Sequence, residues 1–458
     1  MKPSIKIAGG QGFYGDSPMA AMAIAMEKGT DYIVHDALAE LTLSILQKDR
    51  MKNPEMGYAR DIEFMAKFLY PLAFKNGIKI VTNSGGLNPV NAANKVAEIL
   101  KQQGVTGVKI AAIYGDDLMP QLQEIQDNGH DLANMDSGIP LAENKLQSTH
   151  ANVYVGSESI TEALNNGADI ILAGRVADPC LTLGILVHHF GWDLDKDLDK
   201  LASGIAVGHL LECGGQASGG NSYAEWPMDY PINNLGYPIA EVSEDGSAIF
   251  SKLDSQGGKM SRNTLREQLV YEIHDPKNYI TPDVTVDLTE VQIKNIGPNK
   301  VSFSGPKGKP KPELLKMTIG LMEGYLTEQF FFFSWPYAVK KADKFVEAVK
   351  LIWKGLPISL DRIEHTYIGL NGITPTAPFP DEKVLEDINE IGVRLVIKHQ
   401  DKRAGKMAIQ SIVCLGLNGP PGNISTPGWG NNGRAMLSLW PTLVPRNLVQ
   451  MKIEIIES

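Results

Sequence analysis

The sequence predicts an α/β fold: a doubly wound, mostly parallel sheet domain followed by a smaller α+β domain. Over residues 1–190, six short apolar strands alternate with helical segments, a pattern typical of βαβ units. From Tyr237 onward the pattern changes to alternating strands separated by glycine-containing turns. We therefore expect an α/β ligand-binding domain over 1–236 and an α+β domain over 237–458, with β-rich insertions and a C-terminal lid loop.

The chain opens with a strand over 5–8, a glycine loop and a helix over 19–27. Gly10, Gly12 and Gly15 match the spacing G-x-G-x-x-G of dinucleotide-binding loops. A nicotinamide-dependent oxidoreductase that uses this loop is therefore one alternative function.

Other residues of this loop disfavour NAD as a cofactor. Tyr14 is bulky inside such a turn, and Asp16 would place a negative charge beside the pyrophosphate. The competing interpretation is a turn that presents Tyr14 and Asp16 to a different ligand. A third is a tight turn whose Asp16 or Ser17 only caps the next helix.

The second strand, over 31–34, ends in His35 and Asp36, and Glu40 follows in the next helix. Asp36 also lies near the position of a ribose-binding acid. Such a group can act as a general base or bind a divalent metal. The alternative is an acid that faces the helix dipole beside a hydrogen-bonded histidine.

The third strand, over 78–83, runs into Asn83, Ser84, Gly85 and Gly86, and a helix over 90–103 follows. In open α/β sheets, ligands bind at the carboxyl ends of the strands, where such loops meet helix N-termini. We expect the two polar side chains to contact substrate and the two glycines to allow a close backbone approach.

A buried strand over 169–173 ends in Arg175 and Asp178. An arginine beside a glycine at a strand end suits a substrate carboxylate or phosphate, which it can bind in a bidentate manner. Asp178 would orient it. The alternative is a structural Arg–Asp ion pair.

A helix over 205–212 carries His209 and Glu212 and leads into a polar glycine loop that contains Ser218, Gly219 and Asn221. Glu212, together with His209 or Asp36, is the predicted proton-transfer group. The loop is predicted to contact substrate and to donate hydrogen bonds to an oxyanion. A metal at His209 and Glu212 is an open alternative, and Cys213 is expected to be a buried thiol rather than a nucleophile.

The last third is predicted to form strands over 314–322, 330–334, 366–370, 394–398, 409–417 and 448–456, with helices over 337–354 and 382–391. A loop rich in glycine, proline and asparagine over 419–433 holds Trp429. Loops of this length are often functional, which is why this one is the predicted lid.

Composition excludes several classes of protein. A net charge of −10 argues against nucleic-acid or anionic-membrane partners. Three widely spaced cysteines form neither a disulfide framework nor a zinc motif. No apolar run reaches the roughly 20 residues of a membrane helix, and no signal-peptide pattern is visible. A cytoplasmic protein is expected.

Seven motifs stand out along the chain, namely GFYGD at 12–16, LAELT at 38–42, NSGGLNP at 83–89, AGRVAD at 173–178, GHLLECGGQ at 208–216, YEI at 271–273 and WPTLVPR at 440–446. Together they resemble one family, the acyclic terpene utilisation proteins, over nearly the whole chain.

The resemblance implies bacterial catabolism of branched acids alongside acyl-CoA carboxylases and hydratases, and it assigns no catalytic residue. Longer members carry a small additional C-terminal domain, and we expect its function to be either absent here or supplied by a separate small subunit. We expect a lyase, either a hydratase or dehydratase or a C–C cleaving enzyme. Its substrate would be an anionic branched organic acid or its acyl-CoA thioester, and it would form a homo-oligomer. A non-catalytic acyl-binding subunit of a carboxylase-type complex is a second alternative.

Overall fold

The computed structural model describes residues 3–426 and 433–458. The chain forms two compact units. The first unit comprises Met1–Asn144, Ser148–Gly320 and Leu439–Ser458, and the second comprises Lys145–Gln147 and Leu321–Ser438. Compact units and inherited domains need not coincide, so the boundary between 236 and 237 stays a prediction.

The strands are numbered in chain order. They are β1 (Ser4–Gln11), β2 (Tyr32–His35), β3 (Lys79–Thr82), β4 (Lys109–Tyr114), β5 (Gln147–Val153), β6 (Ile170–Ala173), β7 (Ile239–Ser243), β8 (Ala248–Ser251), β9 (Tyr279–Ile280), β10 (Thr285–Asp287), β11 (Gln292–Gly297), β12 (Lys300–Ser304), β13 (Lys307–Lys309), β14 (Leu314–Ser334), β15 (Arg362–Ile368), β16 (Glu390–His399), β17 (Asn423–Ser425), β18 (Arg434–Pro445) and β19 (Lys452–Glu457).

The α-helices are numbered in the same way. They are α1 (Met19–Met26), α2 (Glu40–Lys52), α3 (Asp61–Phe68), α4 (Tyr70–Lys75), α5 (Pro89–Gln102), α6 (Leu122–Asp127), α7 (Glu158–Asn165), α8 (Cys180–Phe190), α9 (Leu198–Leu211), α10 (Arg262–Leu269), α11 (Ala338–Lys354), α12 (Glu382–Glu386), α13 (Lys402–Ser411) and α14 (Leu415–Asn418).

The first unit is built on a ten-stranded mixed sheet in the order β11-β12-β8-β7-β1-β2-β3-β6-β4-β19. The five strands from β1 to β4 in this order are parallel, and helices connect them. Antiparallel strands extend the sheet on both sides. The predicted α/β fold class is confirmed.

Both faces of the parallel strands are covered. Ile80, Ile110 and Ile170 belong to one core cluster with residues of α1, α3, α4 and α5. Their strand neighbours Val81 and Ile171 point to the opposite face and are fully buried as well. Continuous apolar strands of this kind are typical of parallel sheets covered by helices on both faces.

The second unit contains an antiparallel sheet in the order β15-β16-β14-β17. Phe331 and Phe333 on β14 pack against Phe345 on α11, with ring centroids 4.5 and 5.3 Å apart. This cluster of aromatic and aliphatic side chains is the core of that unit.

The strand predicted over 409–417 is wrong. Residues 402–411 form α13, in which Ala404 and Ala408 lie one turn apart on the buried face. The apolar run was short, and short runs do not distinguish a buried strand from the end of an amphipathic helix. Only the first part of the helix predicted over 382–391 is helical, because α12 ends at Glu386 and β16 begins at Glu390.

Across the described parts of the chain, no helix combines the length and the hydrophobicity that crossing a membrane requires.

Candidate active site

The first unit encloses a cavity of about 1270 Å³, called here the main cavity. Its wall is assembled from distant parts of the chain: the start of α2, the turn after β6, the end of α9, residues 271–282, residues 312–316 and β18. Four predicted site residues line it, namely Arg175, Asp178, His209 and Glu212.

His209 and Glu212 form a hydrogen-bonded pair at the end of α9. His209 Nδ1 lies 2.6 Å from Glu212 Oε1. The side chain of Gln268 donates to the carbonyl of His209 at 2.9 Å and fixes the end of the helix. The other polar atoms of the pair, His209 Nε2 and Glu212 Oε2, have no hydrogen-bond partner among the described residues. Each side chain of the pair therefore keeps one buried polar atom that no described residue satisfies.

Glycine allows α9 to come this close to the turn after β6. A Cβ at Gly208 would lie 2.5 Å from the carbonyl oxygen of Pro179, which is within collision distance. The absent side chain lets the helix pack directly on the residue that follows Asp178. His209 and Asp178 consequently line the same cavity.

Burial and mutual attraction together set the protonation of this pair. Burial raises the pKa of Glu212, and His209 only partly offsets that rise. For His209, burial is the largest influence and disfavours the charged form, but Glu212, Gln268 and Glu272 together outweigh it and raise the pKa of His209 above its ordinary value. The pKa values of both groups are therefore raised, and raising the pKa of a buried carboxyl group is a common way to make it a proton-transfer group.

Arg175 is fully buried, with about 1% of its surface exposed. Its guanidinium donates to the carbonyl oxygen of Leu38 and to the carboxylate of Asp178. Its Cζ also lies 4.3 Å from the ring centroid of Tyr154. Its Nε has no hydrogen-bond partner among the described residues. Arg175 and Asp178 thus form the ion pair that was the alternative interpretation, and the Nε–H of Arg175 stays without a partner among the described residues.

The carboxyl groups around Arg175 have raised pKa values. Burial raises the pKa of Asp178 to about 7, despite the opposing charge of Arg175. Burial raises the pKa of Asp36 to about 6, again against Arg175 and with a further rise from Glu212. Groups that titrate near neutrality beside a cavity are typical of acid–base sites.

A chain of buried polar side chains holds the backbone of Arg175. Asp116 accepts from the Arg175 amide at 3.0 Å and from Asn152 at 2.7 Å. His150 continues the chain to Ser44, with its Nε2 2.9 Å from the Ser44 hydroxyl. A side chain at Gly174 would collide with the Asp116 carboxylate. The position of Arg175 is therefore fixed from behind the cavity wall.

The strand-end residues Asn83, Ser84, Gly85 and Gly86 are buried and are not part of the wall of the main cavity. Asn83 donates to Asp36 at 2.6 Å and accepts from the Ala37 amide at 2.7 Å. Ser84 exchanges a hydrogen bond with Thr82. These side chains hold Asp36 and the loop after β2, and their predicted contact with substrate remains a prediction.

The glycine loop after β1 is also used for packing. The Gly12 amide donates to Asp16 at 2.9 Å, and Asp16 accepts from the Tyr237 hydroxyl at 2.7 Å. A Cβ at Gly12 would lie 2.6 Å from the Gly214 nitrogen. Tyr14 packs beside a cluster of buried leucines. Because Asp16 occupies this amide, the geometry does not favour a pyrophosphate at the loop.

The loop predicted at 218–222 lies apart from the wall of the main cavity. The Ser218 hydroxyl donates to the carbonyls of Gly215 and Gly236. Gly219 has φ +102° and accepts from the Tyr230 hydroxyl. Asn221 lines a smaller cavity of about 350 Å³ together with Gln216 and Tyr237.

A comparison with known protein families decides the identity of the chain. The family model described as acyclic terpene utilisation family protein AtuA matches residues 5–455. The chain belongs to this family. The resemblance seen in the sequence motifs is thereby confirmed. The comparison with curated proteins found no match.

The sequence motif WPTLVPR at 440–446 supports the cavity wall, to which it contributes Leu443. Trp440 donates to the Leu132 carbonyl at 2.9 Å. Arg446 donates to the carbonyls of Pro312 and Pro282, both of which belong to the wall. The motif therefore joins β18 to the two wall segments 271–282 and 312–316.

Sequence reasoning missed other wall residues, Tyr154 and Lys316 among them. The Tyr154 hydroxyl donates to Glu40 at 3.0 Å, and Lys316 pairs with Glu40 at 2.5 Å. Tyr279 lies there as well, with its ring 5.6 Å from that of His209. The signal available was the family motif YEI at 271–273, which belongs to the same wall segment as Tyr279.

A metal site was left open at two places in the sequence. Within residues 3–426 and 433–458, no group of three or more histidine, cysteine, aspartate and glutamate side chains is arranged to hold a metal ion. Glu40 pairs with Lys316 and Tyr154 rather than with His35 or Asp36. Of the predicted lid loop, residues 427–432 with Trp429 lie outside the described residues.

Proposed function

We propose that this AtuA-family protein is a lyase of the hydratase or dehydratase type. Its substrate would be a branched organic acid, bound as the free acid or as its acyl-CoA thioester. The observation that carries the proposal is the His209–Glu212 pair, which keeps two unpartnered polar atoms in the wall of a large cavity.

Removal of water from a 3-hydroxyacyl group begins at the carbon next to the carbonyl. Glu212 would take the proton from that carbon, while His209 stabilises the carboxylate through the 2.6 Å hydrogen bond. A C=C bond then forms as the C–O bond at the next carbon breaks, and the hydroxyl leaves as water with the proton that Glu212 took up, which restores the Glu212 carboxylate. C–C cleavage would use the same proton-transfer pair and remains the second form of lyase chemistry.

The main cavity also suits a branched apolar chain. Leu41, Met135, Ile280, Leu314 and Leu443 are unusually exposed for their type, and all of them line it. Exposed apolar patches in concave sites mark binding surfaces. At about 1270 Å³ the cavity exceeds the roughly 300–1,000 Å³ of common ligand sites, which leaves room for part of a thioester arm.

Arg175 and Lys316 would receive the negative end of the substrate. Both lie against the ring of Tyr154, at 4.3 and 5.0 Å. Each already has a carboxylate partner, Asp178 or Glu40. Because the pKa of Asp178 is raised to about 7 by burial, it can accept a proton and leave Arg175 free to attract a substrate anion.

Solvent-deuterium exchange tests this proposal. The protein is incubated in D₂O with branched acyl-CoA probes, among them 3-hydroxy-3-methylbutyryl-CoA, and deuterium at the carbon next to the carbonyl is measured by mass spectrometry. Glu212→Gln should slow exchange by roughly 100- to 10,000-fold, the usual contribution of a general base. Glu313→Gln changes another carboxylate of the same wall and should leave the rate unchanged.

An unchanged rate in Glu212→Gln would contradict the proposal. Tight binding of the probes without any exchange would instead favour the non-catalytic acyl-binding subunit.

A further inference from the structure

Removing a proton next to a carbonyl places negative charge on the carbonyl oxygen, and that oxygen needs a hydrogen-bond donor. The donors expected from the sequence do not line the main cavity. Asn83 and Ser84 are committed to Asp36 and Thr82, and Ser218 to two backbone carbonyls. The donor must come from another part of the wall.

Tyr279 is a side chain of the wall placed beside the proton-transfer pair. Its ring centroid lies 5.6 Å from that of His209, with the two ring planes inclined by 58°. The charges of Glu212 and Asp178 act on its hydroxyl. A group bound between the pair and Tyr279 would therefore meet a base and a hydroxyl donor in the same part of the cavity.

The backbone holds Tyr279 on a rigid element. Strand β9 pairs with β10, with Tyr279 opposite Val286. The turn between the strands is closed by the Thr281 hydroxyl, which donates to the Val284 carbonyl at 2.6 Å. Electrostatic stabilisation depends on donors that are oriented before the reaction begins, and a locked hairpin provides this.

We propose that Tyr279 is a further catalytic residue, whose hydroxyl donates to the carbonyl oxygen of the substrate as the enolate forms. This inference rests on the proposed lyase function. Glu212 takes the proton from carbon, the electron pair of the C–H bond moves into the enolate, and the Tyr279 O–H hydrogen-bonds to the oxygen that carries the charge. The β-hydroxyl then leaves as water with the proton that Glu212 took up, the electrons of the enolate form the C=C bond, and the carbonyl is restored.

The charge state of Tyr279 suits this role. Burial and the neighbouring Glu212 and Asp178 raise its pKa well above the ordinary value for tyrosine. The hydroxyl therefore keeps its proton over the whole range in which the carboxyl groups titrate. It can donate a hydrogen bond throughout that range without placing a second negative charge in the cavity.

The test compares Tyr279→Phe with Tyr271→Phe in the deuterium-exchange assay. Tyr271 also lines the cavity, but its hydroxyl interacts with the side chain of the neighbouring Glu272. It is therefore the matched control. Tyr279→Phe should slow exchange by roughly 100- to 1,000-fold, the usual effect of losing one oxyanion donor. The dissociation constant of 3-methylbutyryl-CoA should stay the same, because the donor acts on the charge that develops during reaction. Tyr271→Phe should exchange at the wild-type rate.

A wild-type rate in Tyr279→Phe would overturn this inference alone. Absence of exchange in the wild type would overturn the proposed function together with it. If Tyr279→Phe does not fold, 3-fluorotyrosine at position 279 replaces it, since this analogue keeps the shape and has a more acidic hydroxyl. Its more acidic hydroxyl is a stronger donor to the enolate oxygen, so exchange should be faster while the dissociation constant of 3-methylbutyryl-CoA stays the same, and a wild-type exchange rate would contradict a role for the hydroxyl.

Discussion

Two strand ends of the same parallel sheet show opposite uses of similar residues. After β3, Asn83 and Ser84 are fully buried and hydrogen-bonded to side chains of the protein. After β6, Arg175 and Asp178 lie in the wall of the main cavity, next to a pair with two unpartnered atoms. Both ends combine polar residues with glycine.

The difference between these two ends lies in hydrogen bonds that are left unmade. A buried polar group without a partner costs free energy, so a fold keeps such groups at few places. The end after β3 satisfies its groups internally and supports the loop after β2. The end after β6 and the end of α9 keep polar atoms without a partner among the described residues, on Arg175, His209 and Glu212, and these three residues line the main cavity. We expect substitutions at the first end to change stability and at the second to change reactivity.

The largest stability loss is expected for Asn83→Ala. The substitution removes the side-chain donor to Asp36 and the acceptor for the Ala37 amide, and it leaves the buried Asp36 carboxyl group with the longer 3.2 Å bond from the Leu38 amide. The free energy of unfolding should fall by about 3 kcal/mol, since each unsatisfied buried group costs 1–3 kcal/mol. Urea unfolding followed by circular dichroism measures this change, and a loss below about 1 kcal/mol would contradict the structural role.

Asp116→Asn tests the chain of side chains behind Arg175 through its pH dependence. Burial raises the pKa of Asp116 from 3.8 to about 6 in the folded protein. The folded state then holds a proton that the unfolded state has released, so this group lowers stability as pH rises from about 4 to about 6. Asparagine does not titrate. The variant should therefore gain stability relative to the wild type over that window, by up to roughly 3 kcal/mol.

Stability curves at closely spaced pH values between 3.5 and 7 would measure this difference. A constant difference between the two proteins across the window would show that Asp116 keeps an ordinary pKa.

Gly12→Ala tests whether the glycine loop after β1 is there for packing. A methyl group would lie 2.6 Å from the Gly214 nitrogen and 2.8 Å from the carbonyl carbon of Cys213. The substitution should cost about 1–3 kcal/mol of stability, as overpacking usually does. Neither protein should change the fluorescence of NADH, and NADH binding that is lost in the variant would revive the oxidoreductase alternative.

Glu212→Gln should have the smallest effect on stability. The glutamine keeps the shape of the side chain and removes a buried charge whose raised pKa already marks it as costly to ionise. The free energy of unfolding should stay within about 1 kcal/mol of the wild type. A small change is expected because functional sites often keep residues that do not add to stability. A loss as large as that of Asn83→Ala would place Glu212 with the packing residues.

Much of the architecture could be predicted because local pattern and global fold agree. The alternation of strands and helices over 1–190 gave the sheet, and strand ends pointed to Arg175 and Asp178. Spacing on one helix brought His209 and Glu212 together at the end of α9. That these residues act on a substrate remains a prediction.

The rest depended on packing that one sequence does not display. Nothing local distinguishes Asn83, which spends its hydrogen bonds on Asp36, from an asparagine left open to a ligand. Tyr279 approaches His209 only because β9 and α9 meet in three dimensions. Residues 409–417 resembled a strand when they were considered alone. The helical spacing becomes visible only when the preceding residues Ala404 and Ala408, on the buried face of α13, are included.

The central claim is that His209 and Glu212 form an electrostatically coupled pair in the main cavity, and a histidine NMR titration tests it most directly. In full-length protein with labelled histidine, the His209 signal is assigned from its loss in His209→Gln and followed with pH in the wild type and in Glu212→Gln. The account predicts a pKa of His209 above 6.5 in the wild type, because Glu212, helped by Gln268 and Glu272, outweighs burial. In Glu212→Gln the main group that opposes burial is lost, and the pKa of His209 should fall relative to the wild type. A His209 pKa at or below 6.5 in the wild type, unmoved by the substitution, would contradict the account.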